Sequence, residues 1–388
     1  MIKILYIADS LNPTWGAYKA MVSLLENIAP SQVNALAIVS SLYPQTHSFA
    51  NTNIRIKQLR YYSSIYPSTL TRKDKLLFMP RLIRKLIINN IATIRLLLLT
   101  KKFSPDIIHT NVSFTAIGYY VARILKIPHI WHIREYGSLD FNTCHYYPSL
   151  SIQQKRYRSQ LSYTIGITKD ILKYNNLLGY PYAQVIYDGV LPSYMQSYTS
   201  QKQPYFLYAG RLETLKGILP LIDAYAEYCK QHPSPLSLYV AGNGSEAYTN
   251  LVKEKIATYR LEDKIKLLGV RKDILELYKN ARALIVPSLA EGFGFITAEA
   301  MFCGCLVIGN DRAGTKEQFD NGLEMSGEEI GLRYTKQGEL VQHLIDVTNN
   351  PTNYYEPMIL RAQQVVTQLY STEKHAERVY EFYNNILN

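Results

Sequence analysis

The stretch that decides the fold runs from residue 283 to residue 302 and reads ALIVPSLAEGFGFITAEAMF. It opens with a short apolar run that ends in Pro287-Ser288, which predicts a buried parallel strand stopping where a loop begins. Two glycines follow in the loop, and from Phe295 onward the apolar residues have helical spacing. A strand therefore leads through a glycine-bearing loop into a helix. The unpaired N–H groups at that helix N-terminus suit an anion such as a phosphate.

Two glutamates bracket this junction between loop and helix. Glu291 lies in the loop and Glu299 lies in the helix, with seven residues between them. Because a carboxylate repels a phosphate, we expect both side chains to accept hydrogen bonds from hydroxyl groups instead. A site that suits phosphates and hydroxyls together predicts a nucleotide sugar as its ligand.

The segment from Glu291 to Glu299 resembles the E-x7-E element of retaining glycosyltransferases with the GT-B fold, most closely those of glycosyltransferase family 4. A second segment, GRLETLKG at residues 210–217, is similar to the G-R-L-x-x-x-K-G signature of the same family. Each motif follows a predicted strand, and the two occur in the family's order. The resemblance covers nearly the whole chain and is weakest over residues 40–100.

The resemblance implies an α/β GT-B fold, in which two Rossmann-like doubly wound parallel-sheet domains face a cleft. Strands that alternate with helices along the chain favour such sheets independently. We expect an acceptor-side domain at residues 1–187, a nucleotide-sugar-binding domain at 188–370, and a C-terminal helix at 371–388 that folds back on the first domain. The crossing is marked by Asp188-Gly189-Val190, similar to the family's N-G-V segment but with Asp in place of Asn.

The family's motif positions imply a role for each candidate site residue. Arg211 and Lys216 would clamp the diphosphate, and fixed cations there stabilise the negative charge that a leaving diphosphate builds. Glu291 would hold the transferred sugar and Glu299 the ribose. His132 resembles a family histidine that lines the sugar site, although a lone histidine is more often structural. The remaining candidate donor-binding residues are Gly16, Gly210, Gly242, Gly292, Phe293, Gly294 and Phe295.

Three places depart from simple expectation. Arg134 and Glu135 stand where family members often carry an Asp after the histidine, and contact with the acceptor is our interpretation of both. Trp15-Gly16 replaces two adjacent glycines, which leaves phosphate contact at that loop open. GNGSEA at residues 242–247 fits a dinucleotide-binding fingerprint, but the acidic residue expected after the next strand is absent. We therefore expect that turn to lie near the nucleotide, as in the family.

The resemblance implies transfer of a sugar from a nucleotide sugar, a UDP-sugar first of all, with retained anomeric configuration. The leaving diphosphate would act as the base in a front-face attack. The Asp-x-Asp triplet of metal-dependent transferases does not occur in the chain, so we expect no metal and no cofactor beyond the nucleotide-sugar co-substrate. The implied acceptor is a saccharide or a polyprenyl-diphosphate-linked saccharide, and the setting is biosynthesis of a bacterial surface polysaccharide, a capsule or exopolysaccharide.

The net charge of +11 is unevenly placed along the chain. Residues 1–195 carry 22 Lys and Arg against 8 Asp and Glu, giving +14, whereas residues 196–388 carry 20 against 23, giving −3. The basic half either faces something anionic, a membrane surface included, or forms a solubilising face. Residues 71–103 predict a long basic helix with nine Lys and Arg against Asp74 alone. This helix either rests on anionic lipid or packs on the sheet with a charged outer face.

Composition also bears on location and on other classes of protein. The N-terminal MIKILYI predicts a strand rather than a signal peptide. No C-x-x-C spacing occurs among the four cysteines Cys144, Cys229, Cys303 and Cys305. We therefore expect reduced thiols in a cytoplasmic protein. If the basic helix binds lipid, we expect the protein to be peripheral on the inner face of the plasma membrane. Two alternatives stay open. The first is a nucleic-acid-binding protein, although we expect no nucleic-acid partner because the basic half lacks aromatic-basic interleaving. The second is a non-catalytic GT-B partner subunit, against which the intact motif residues argue.

Overall fold

The computed structural model describes residues 1–8, 16–28, 32–42, 54–67, 69, 71–137 and 145–388. The chain divides into two compact units. The first consists of residues 1–189 together with 372–388, and the second of residues 190–371. Each unit is built on a parallel sheet with helices between its strands, as the alternation of elements predicted.

The first unit contains a seven-stranded sheet in the order β3-β2-β1-β4-β5-β6-β7. Its strands are β1 (Ile2–Ile7), β2 (Val33–Ser40), β3 (Ile54–Leu59), β4 (Ile107–Thr110), β5 (His129–Ile133), β6 (Ser162–Gly166) and β7 (Ala183–Val185). Its helices are α1 (Gly16–Asn27), α2 (Arg72–Leu76), α3 (Phe78–Phe103), α4 (Ile117–Leu125), α5 (Leu150–Tyr157), α6 (Lys169–Tyr174) and, after the second unit, α14 (Thr372–Leu387).

Both faces of this sheet are buried. Successive residues of a strand point to opposite faces, and accordingly Ile4 and Tyr6 of β1 join a core cluster that includes residues of α1 and α14. Leu5 and Ile7 join a second cluster on the other face, together with residues of α3 and α4. The continuous apolar composition of β1 follows from this double burial, as is usual for parallel strands.

The basic segment at residues 71–103 is two helices rather than the single helix expected. Leu77 separates α2 from α3 and has φ −89° and ψ 5°. Pro80 explains the break, because it has no N–H to donate to the carbonyl of Leu76, as a continuous helix would require. Among the described residues, no helix is long and apolar enough to cross a bilayer.

The second unit contains a six-stranded sheet in the order β10-β9-β8-β11-β12-β13. Its strands are β8 (Tyr205–Ala209), β9 (Ser237–Ala241), β10 (Ile265–Gly269), β11 (Ala283–Val286), β12 (Val307–Asn310) and β13 (Leu332–Tyr334). Its helices are α7 (Ile218–Gln231), α8 (Glu246–Thr258), α9 (Ile274–Asn280), α10 (Phe295–Phe302), α11 (Ala313–Ser326), α12 (Gln337–Asn349) and α13 (Glu356–Tyr370).

The strand order of the second sheet reverses between two neighbours, β8 and β11. From β8 the chain builds outward through β9 and β10, then returns to the other side of β8 and builds through β11, β12 and β13. In doubly wound sheets the loops that leave the carboxyl ends of such neighbours diverge and leave a crevice for a ligand. The two sequence motifs lie on these two loops, 210–217 after β8 and 287–294 after β11.

The three cysteines among the described residues are free thiols. Cys303 and Cys305 are buried and Cys229 is half-buried. Burial raises the pKa of the Cys303 thiol to about 11 and that of Cys305 to about 12, so both stay protonated at neutral pH. Cys144 lies outside the described residues.

Candidate donor site in the second unit and a buried polar cluster in the first

The loops after β8 and β11 touch through their backbones. Gly217 has φ +70°, and a Cβ there would meet the carbonyl oxygen of Pro287 at 2.1 Å. The N–H of Leu289 donates to the carbonyl of Leu215 at 2.8 Å. A side chain at position 217 would therefore push apart the two loops that carry the motifs.

The glycines of the GNGSEA turn have a similar function. Gly242 has φ +141°, and a Cβ there would meet the carbonyl oxygen of Gly210 at 1.8 Å. The N–H of Leu212 donates to the carbonyl of Asn243 at 2.8 Å. The turn after β9 thus supports the loop after β8 by close backbone contact. This packing accounts for a glycine pattern that looks like a dinucleotide fingerprint.

Lys216 and Glu291 form an ion pair across the two loops. Lys216 Nζ donates to Glu291 Oε1 at 2.6 Å, and the two side chains are 19% and 12% exposed. Ser288 Oγ donates to the same carboxylate oxygen at 2.8 Å. The arrangement holds the lysine ammonium at the switch point of the sheet, next to the loop that opens α10.

Arg211 is in a different environment from Lys216. Its side chain is 65% exposed and pairs with Glu213 of the same loop, Nη2 to Oε1, at 3.0 Å. The Arg211 carbonyl accepts a hydrogen bond from the buried phenol of Tyr208 at 2.8 Å. The backbone of Arg211 is therefore anchored, whereas its guanidinium lies in solvent and can reorient toward a ligand.

The N-terminus of α10 has the geometry expected for an anion site. Gly294 precedes the helix with φ +87°, and no side chain caps this end. The carbonyls of Phe293 and Gly294 both accept from Gln318 Nε2, at 2.7 and 3.0 Å. Because these two carbonyls are held by a buried amide, the peptide planes of the loop are fixed. The buried ring of Phe293 lies 5.1 Å from the ring of Tyr370, centroid to centroid. The ring of Phe295 packs edge-on against the ring of Phe293 at a centroid distance of 5.3 Å.

Glu299 lies on α10 and receives a hydrogen bond from a buried tyrosine. The hydroxyl of Tyr278 donates to Glu299 Oε2 at 3.3 Å. Burial, and then the charge of Glu299, raise the pKa of Tyr278 well above its usual value. The phenol therefore remains a donor at all ordinary pH values and orients the carboxylate.

His132 lies on β5 in the first unit and is completely buried. Its Nδ1 is 3.2 Å from His109 Nε2 and 3.2 Å from Arg134 Nη2. His109 Nδ1 is in turn 2.7 Å from the hydroxyl of Tyr383 on α14. Burial, and then the charge of Arg134, hold the pKa of His132 well below its usual value, so the imidazole is neutral.

Arg134 and Glu135 are both buried and hold the interior of the first unit together. Arg134 Nη1 donates to Asp188 Oδ1 in a short contact. Glu135 Oε1 accepts from the backbone N–H of Ser113 at 2.7 Å. Arg134 and Asp188 are two of the positions that depart from the family pattern, and they are in direct contact. The carboxylate at 188 therefore compensates the buried guanidinium at 134.

Three side chains of this cluster could be considered as metal ligands. Potential ligand atoms of His132, Asp188 and His375 lie within 4.8 Å of one another. A guanidinium can only donate, so the contact of Arg134 with Nδ1 of His132 places the proton of the neutral imidazole on Nε2. That nitrogen faces Asp188 at 3.9 Å and has no lone pair for a metal. Among the described residues, His132 Nε2, Asp188 Oδ2 and both ring nitrogens of His375 have no hydrogen-bond partner. The three side chains therefore lie close together without hydrogen bonds to one another, and the tautomer of His132 gives no reason to assign a metal to them.

Gly16 is the first residue of α1. The adjacent Trp15 and the rest of that loop lie outside the described residues. Most of the predicted donor-site residues lie on the loops after β8 and β11 or on α10: Gly210, Arg211, Lys216, Glu291, Gly292, Phe293, Gly294, Phe295 and Glu299. Gly242 packs against the first of these loops, at Gly210. His132, Arg134, Glu135 and Gly16 belong to the first unit.

Sequence analysis missed three residues that position this site, namely Tyr278, Ser288 and Gln318. Ser288 directly follows Pro287 at a strand end, and this placement was a usable signal. Gln318 follows the GTKE segment at residues 314–317, which resembles the family's G-x-x-E. Tyr278 carries no local signal, because its contact with Glu299 exists only once α9 and α10 are packed together.

Two doubly wound parallel-sheet units, with the motif loops at the switch point of the second, are the two parts of the predicted GT-B fold. Comparison with solved structures agrees. The chain aligns with HepE from Anabaena, crystallised with UDP and also with UDP-glucose, at 18% identity and TM-scores of 0.75 and 0.73, covering 99% of this chain and 100% of that one. The predicted fold is thus confirmed.

Residues 193–365, slightly less than half of the chain, match the family model described as Glycosyl transferases group 1. The chain is 30% identical over 182 residues to the gpi3 subunit of phosphatidylinositol N-acetylglucosaminyltransferase from Schizosaccharomyces pombe, covering 46% of this chain and 37% of that protein. It is 35% identical over 120 residues to O-antigen chain mannosyltransferase B from Escherichia coli, covering 29% and 30%. The chain thus spans well under half the length of these curated relatives.

Proposed function

We propose that the protein is a retaining glycosyltransferase that takes its sugar from a nucleotide sugar, a UDP-sugar first of all. The observation that carries the proposal is the contact of Lys216 Nζ with Glu291 Oε1 at 2.6 Å. It joins the two motif loops at the switch point of the sheet, where doubly wound folds bind ligands. HepE, which shares the fold, is known with UDP and UDP-glucose.

In this proposal the charges divide between the two ends of the donor. Lys216, joined by the exposed guanidinium of Arg211, stabilises the departing diphosphate, and the N-terminus of α10 adds its N–H groups and dipole. Glu291 accepts from hydroxyls of the transferred sugar, and Glu299, oriented by Tyr278, accepts from the ribose. These cations would replace a metal ion, and the diphosphate would act as the base.

The acceptor end belongs to the first unit in this proposal. We propose a saccharide or a polyprenyl-diphosphate-linked saccharide as acceptor, in the assembly of a bacterial surface polysaccharide. One relative is named as an O-antigen chain mannosyltransferase. Because His132 is completely buried, its predicted contact with the sugar would require the residues around it to move.

The donor proposal is tested by thermal stabilisation with UDP-, GDP- and ADP-sugars, followed by a transfer assay with the best donor. We expect the midpoint of thermal unfolding to rise with the sugars of one nucleotide class. In the transfer assay we expect the anomeric configuration to be retained and turnover to persist in the presence of EDTA. Lys230, an exposed lysine on α7 paired with Glu227, is a matched control for Lys216. Lys230→Ala should therefore bind the nucleotide sugar as tightly as the wild type does. No stabilisation by any nucleotide sugar would contradict the proposal.

We also propose that α3 rests on an anionic membrane surface. Seven large apolar residues of α2 and α3 are between 46% and 80% exposed, at spacings of three or four: Leu76, Met79, Ile83, Ile87, Ile91, Ile94 and Leu98. A helix packed only on its sheet would turn such a stripe inward. Arg84 and Arg95 flank the stripe, so a second copy of α3 would meet like charges, whereas anionic lipid would neutralise them.

Sedimentation with vesicles tests this surface. The protein should pellet with phosphatidylglycerol vesicles at low salt and be released as salt rises. The double variant Ile87→Asn/Ile94→Asn and the double variant Arg84→Glu/Arg95→Glu should each lose binding. Lys253→Glu, on α8 of the second unit, is the control and should change little. Equal pelleting by all four proteins would refute the proposal.

A further inference from the structure

A pocket of about 320 Å³ lies in the first unit between α3 and α4. Residues 63–65, which follow β3, form one wall, and Ile117 at the start of α4 forms another. Both segments come after the carboxyl ends of their strands, on the side of a parallel sheet where ligands bind. Arg134 and Glu135 follow β5 at the same edge but are buried. The volume is at the lower end of the range for ligand sites, which suits one small unit of a ligand.

The wall that follows β3 is held by hydrogen bonds. The N–H of Ser64 donates to the carbonyl of Phe114 at 2.5 Å, and the carbonyl of Ser64 accepts from the N–H of Tyr147 at 3.0 Å. The side-chain amide of Asn89 on α3 bonds to both backbone groups of Tyr62, at 2.8 and 3.0 Å. The lining is therefore in place before a ligand binds, which lowers the ordering cost of binding.

The two cations that line the pocket are already engaged by the protein. Lys85 Nζ donates to the carbonyl of Ile65 at 3.0 Å. Arg156 Nη2 donates to the hydroxyl of Tyr120 at 2.7 Å, and Arg156 Nη1 donates to Gln153 Oε1 at 3.0 Å. Because these donors are directed at protein oxygens, we assign no charge of a ligand to them.

Uncharged polar groups remain for a ligand. The Tyr120 oxygen accepts from Arg156, so Tyr120 can donate its own hydroxyl hydrogen. Ser64 Oγ accepts from the N–H of Ala116 at 3.3 Å and can likewise donate. Asn90 lines the pocket and is exposed, and its amide has no hydrogen-bond partner within the described ranges. Two hydroxyl donors and one amide suit a neutral ligand that carries hydroxyl and amide groups.

Other walls of the pocket are aliphatic. Leu82 and Leu86 of α3 line it, and so do Ile117 and Ile124 of α4. A ligand with hydroxyl groups alone would leave these side chains without an apolar contact. A hydrocarbon chain would instead leave the hydroxyl and amide groups without a partner. A sugar that carries an acetamido group suits both, because its methyl group is apolar and its amide can pair with another amide.

We propose that this pocket binds one N-acetylated sugar unit of the acceptor. The sugar hydroxyls accept from Ser64 and Tyr120, and the acetamido group pairs with the amide of Asn90. The acetamido methyl packs on Leu86 and Ile117. The inference rests on the proposed function, in which the acceptor is a saccharide, and it adds the class of sugar and its place on the first unit.

Titrations followed by NMR test the class of ligand. The probes are the methyl glycosides of N-acetylglucosamine and N-acetylgalactosamine, the matching methyl glucoside and galactoside, and methyl phosphate. We expect one N-acetylated glycoside to bind the wild type at least fourfold more tightly than its matching plain glycoside, since burial of one methyl group corresponds to roughly fourfold in affinity. Methyl phosphate should not displace it. Equal binding of N-acetylated and plain glycosides, or displacement by methyl phosphate, would overturn the proposal.

Two variants and a control localise the binding. Asn90→Leu removes the amide at similar side-chain volume and should weaken the N-acetylated glycoside by roughly fivefold or more. Thr93→Phe fills the pocket from α3 and should weaken both kinds of glycoside. Asn250→Leu makes the same exchange as the first variant at an exposed position of α8 and should stay within about twofold of the wild type. Melting temperatures establish that each variant folds, and unchanged affinity in both pocket variants would refute the assignment.

Thermal stabilisation by UDP, measured on the same proteins, separates this inference from the proposed function. UDP should stabilise the wild type, Asn90→Leu and Thr93→Phe equally, because the pocket and the motif loops lie in different units. If UDP binds but none of the glycosides does, the sugar pocket is wrong and the transferase proposal stands. If an N-acetylated glycoside binds but no nucleotide does, the transferase proposal fails and the pocket assignment survives.

Discussion

The ion pair between Lys216 and Glu291 leads to an expectation that the sequence motifs alone do not give. In the free protein the lysine that would hold the diphosphate is already neutralised by the glutamate that would hold the sugar, at 2.6 Å. Glu291→Gln removes this competing charge but keeps the side-chain shape and can still accept from Ser288 Oγ. We therefore expect Glu291→Gln to bind free UDP more tightly than the wild type does.

The size of the effect follows from the burial of the pair. Exposed pairs are worth about 0.2–1 kcal/mol, and this one lies at the upper end of that range because both side chains are less than a fifth exposed. Releasing about 1 kcal/mol to the diphosphate corresponds to roughly fivefold tighter UDP. The sugar nucleotide should behave differently, because the loss of a charged hydrogen bond to a sugar hydroxyl costs about 1.5–3 kcal/mol.

The decisive quantity is the ratio of the two affinities. Calorimetry with UDP and with the preferred UDP-sugar should show that the preference for the sugar nucleotide over free UDP falls by roughly 10- to 100-fold in Glu291→Gln. Glu213→Gln is the matched control, because it removes the partner of the exposed Arg211, and both affinities should stay within about twofold. If Glu291→Gln weakens free UDP tenfold, Glu291 holds the nucleotide and the division of roles is wrong.

Three further expectations concern other groups. Lys216→Ala should lower transfer by roughly 10²-fold or more at unchanged melting temperature, since preorganised charge is worth about 3 kcal/mol at such sites, and activity near the wild-type level would remove the diphosphate assignment. Glu299→Gln should weaken UDP and the UDP-sugar alike by about tenfold or more, and Tyr278→Phe should act in the same direction but less; selective loss of one ligand in calorimetry would contradict the ribose role. Burial lowers the pKa of His129 and His375 to about 3, so the unfolded chain binds these protons more readily than the folded one. In urea denaturation, the free energy of unfolding should be highest above about pH 6.5 and should fall below that pH by about 1.4 kcal/mol per pH unit for each histidine. Equal urea midpoints at pH 7.5 and pH 5.5 would refute this.

Much of the candidate site could be predicted because it depends on short-range patterns. An apolar run, a break, two glycines and a helical period within residues 283–302 are enough to indicate a strand, a loop and an open helix N-terminus. The same holds for residues 205–231. Such patterns report local conformation, since period and glycine placement act within a few residues.

The partners across the site could not be predicted in this way. Lys216 and Glu291 are 75 residues apart in sequence, and Arg134 and Asp188 are 54 apart. Lys216 and Glu291 meet because the strand order places β8 next to β11. Arg134 and Asp188 meet because they follow β5 and β7, which belong to the same parallel sheet of the first unit. Arg134 and Asp188 each depart from the family pattern. Only the structure shows that they form one buried pair.

The sequence by itself determined the class of fold, the two motif loops and the basic character of residues 71–103. Only the tertiary structure decided that Ile83, Ile87, Ile91 and Ile94 of α3 face outward rather than toward the sheet, and which residues of the first unit α14 packs against. The physical reason is the same in both cases. Periodicity tells which residues share a face of a helix, but what covers that face depends on every element that packs against it.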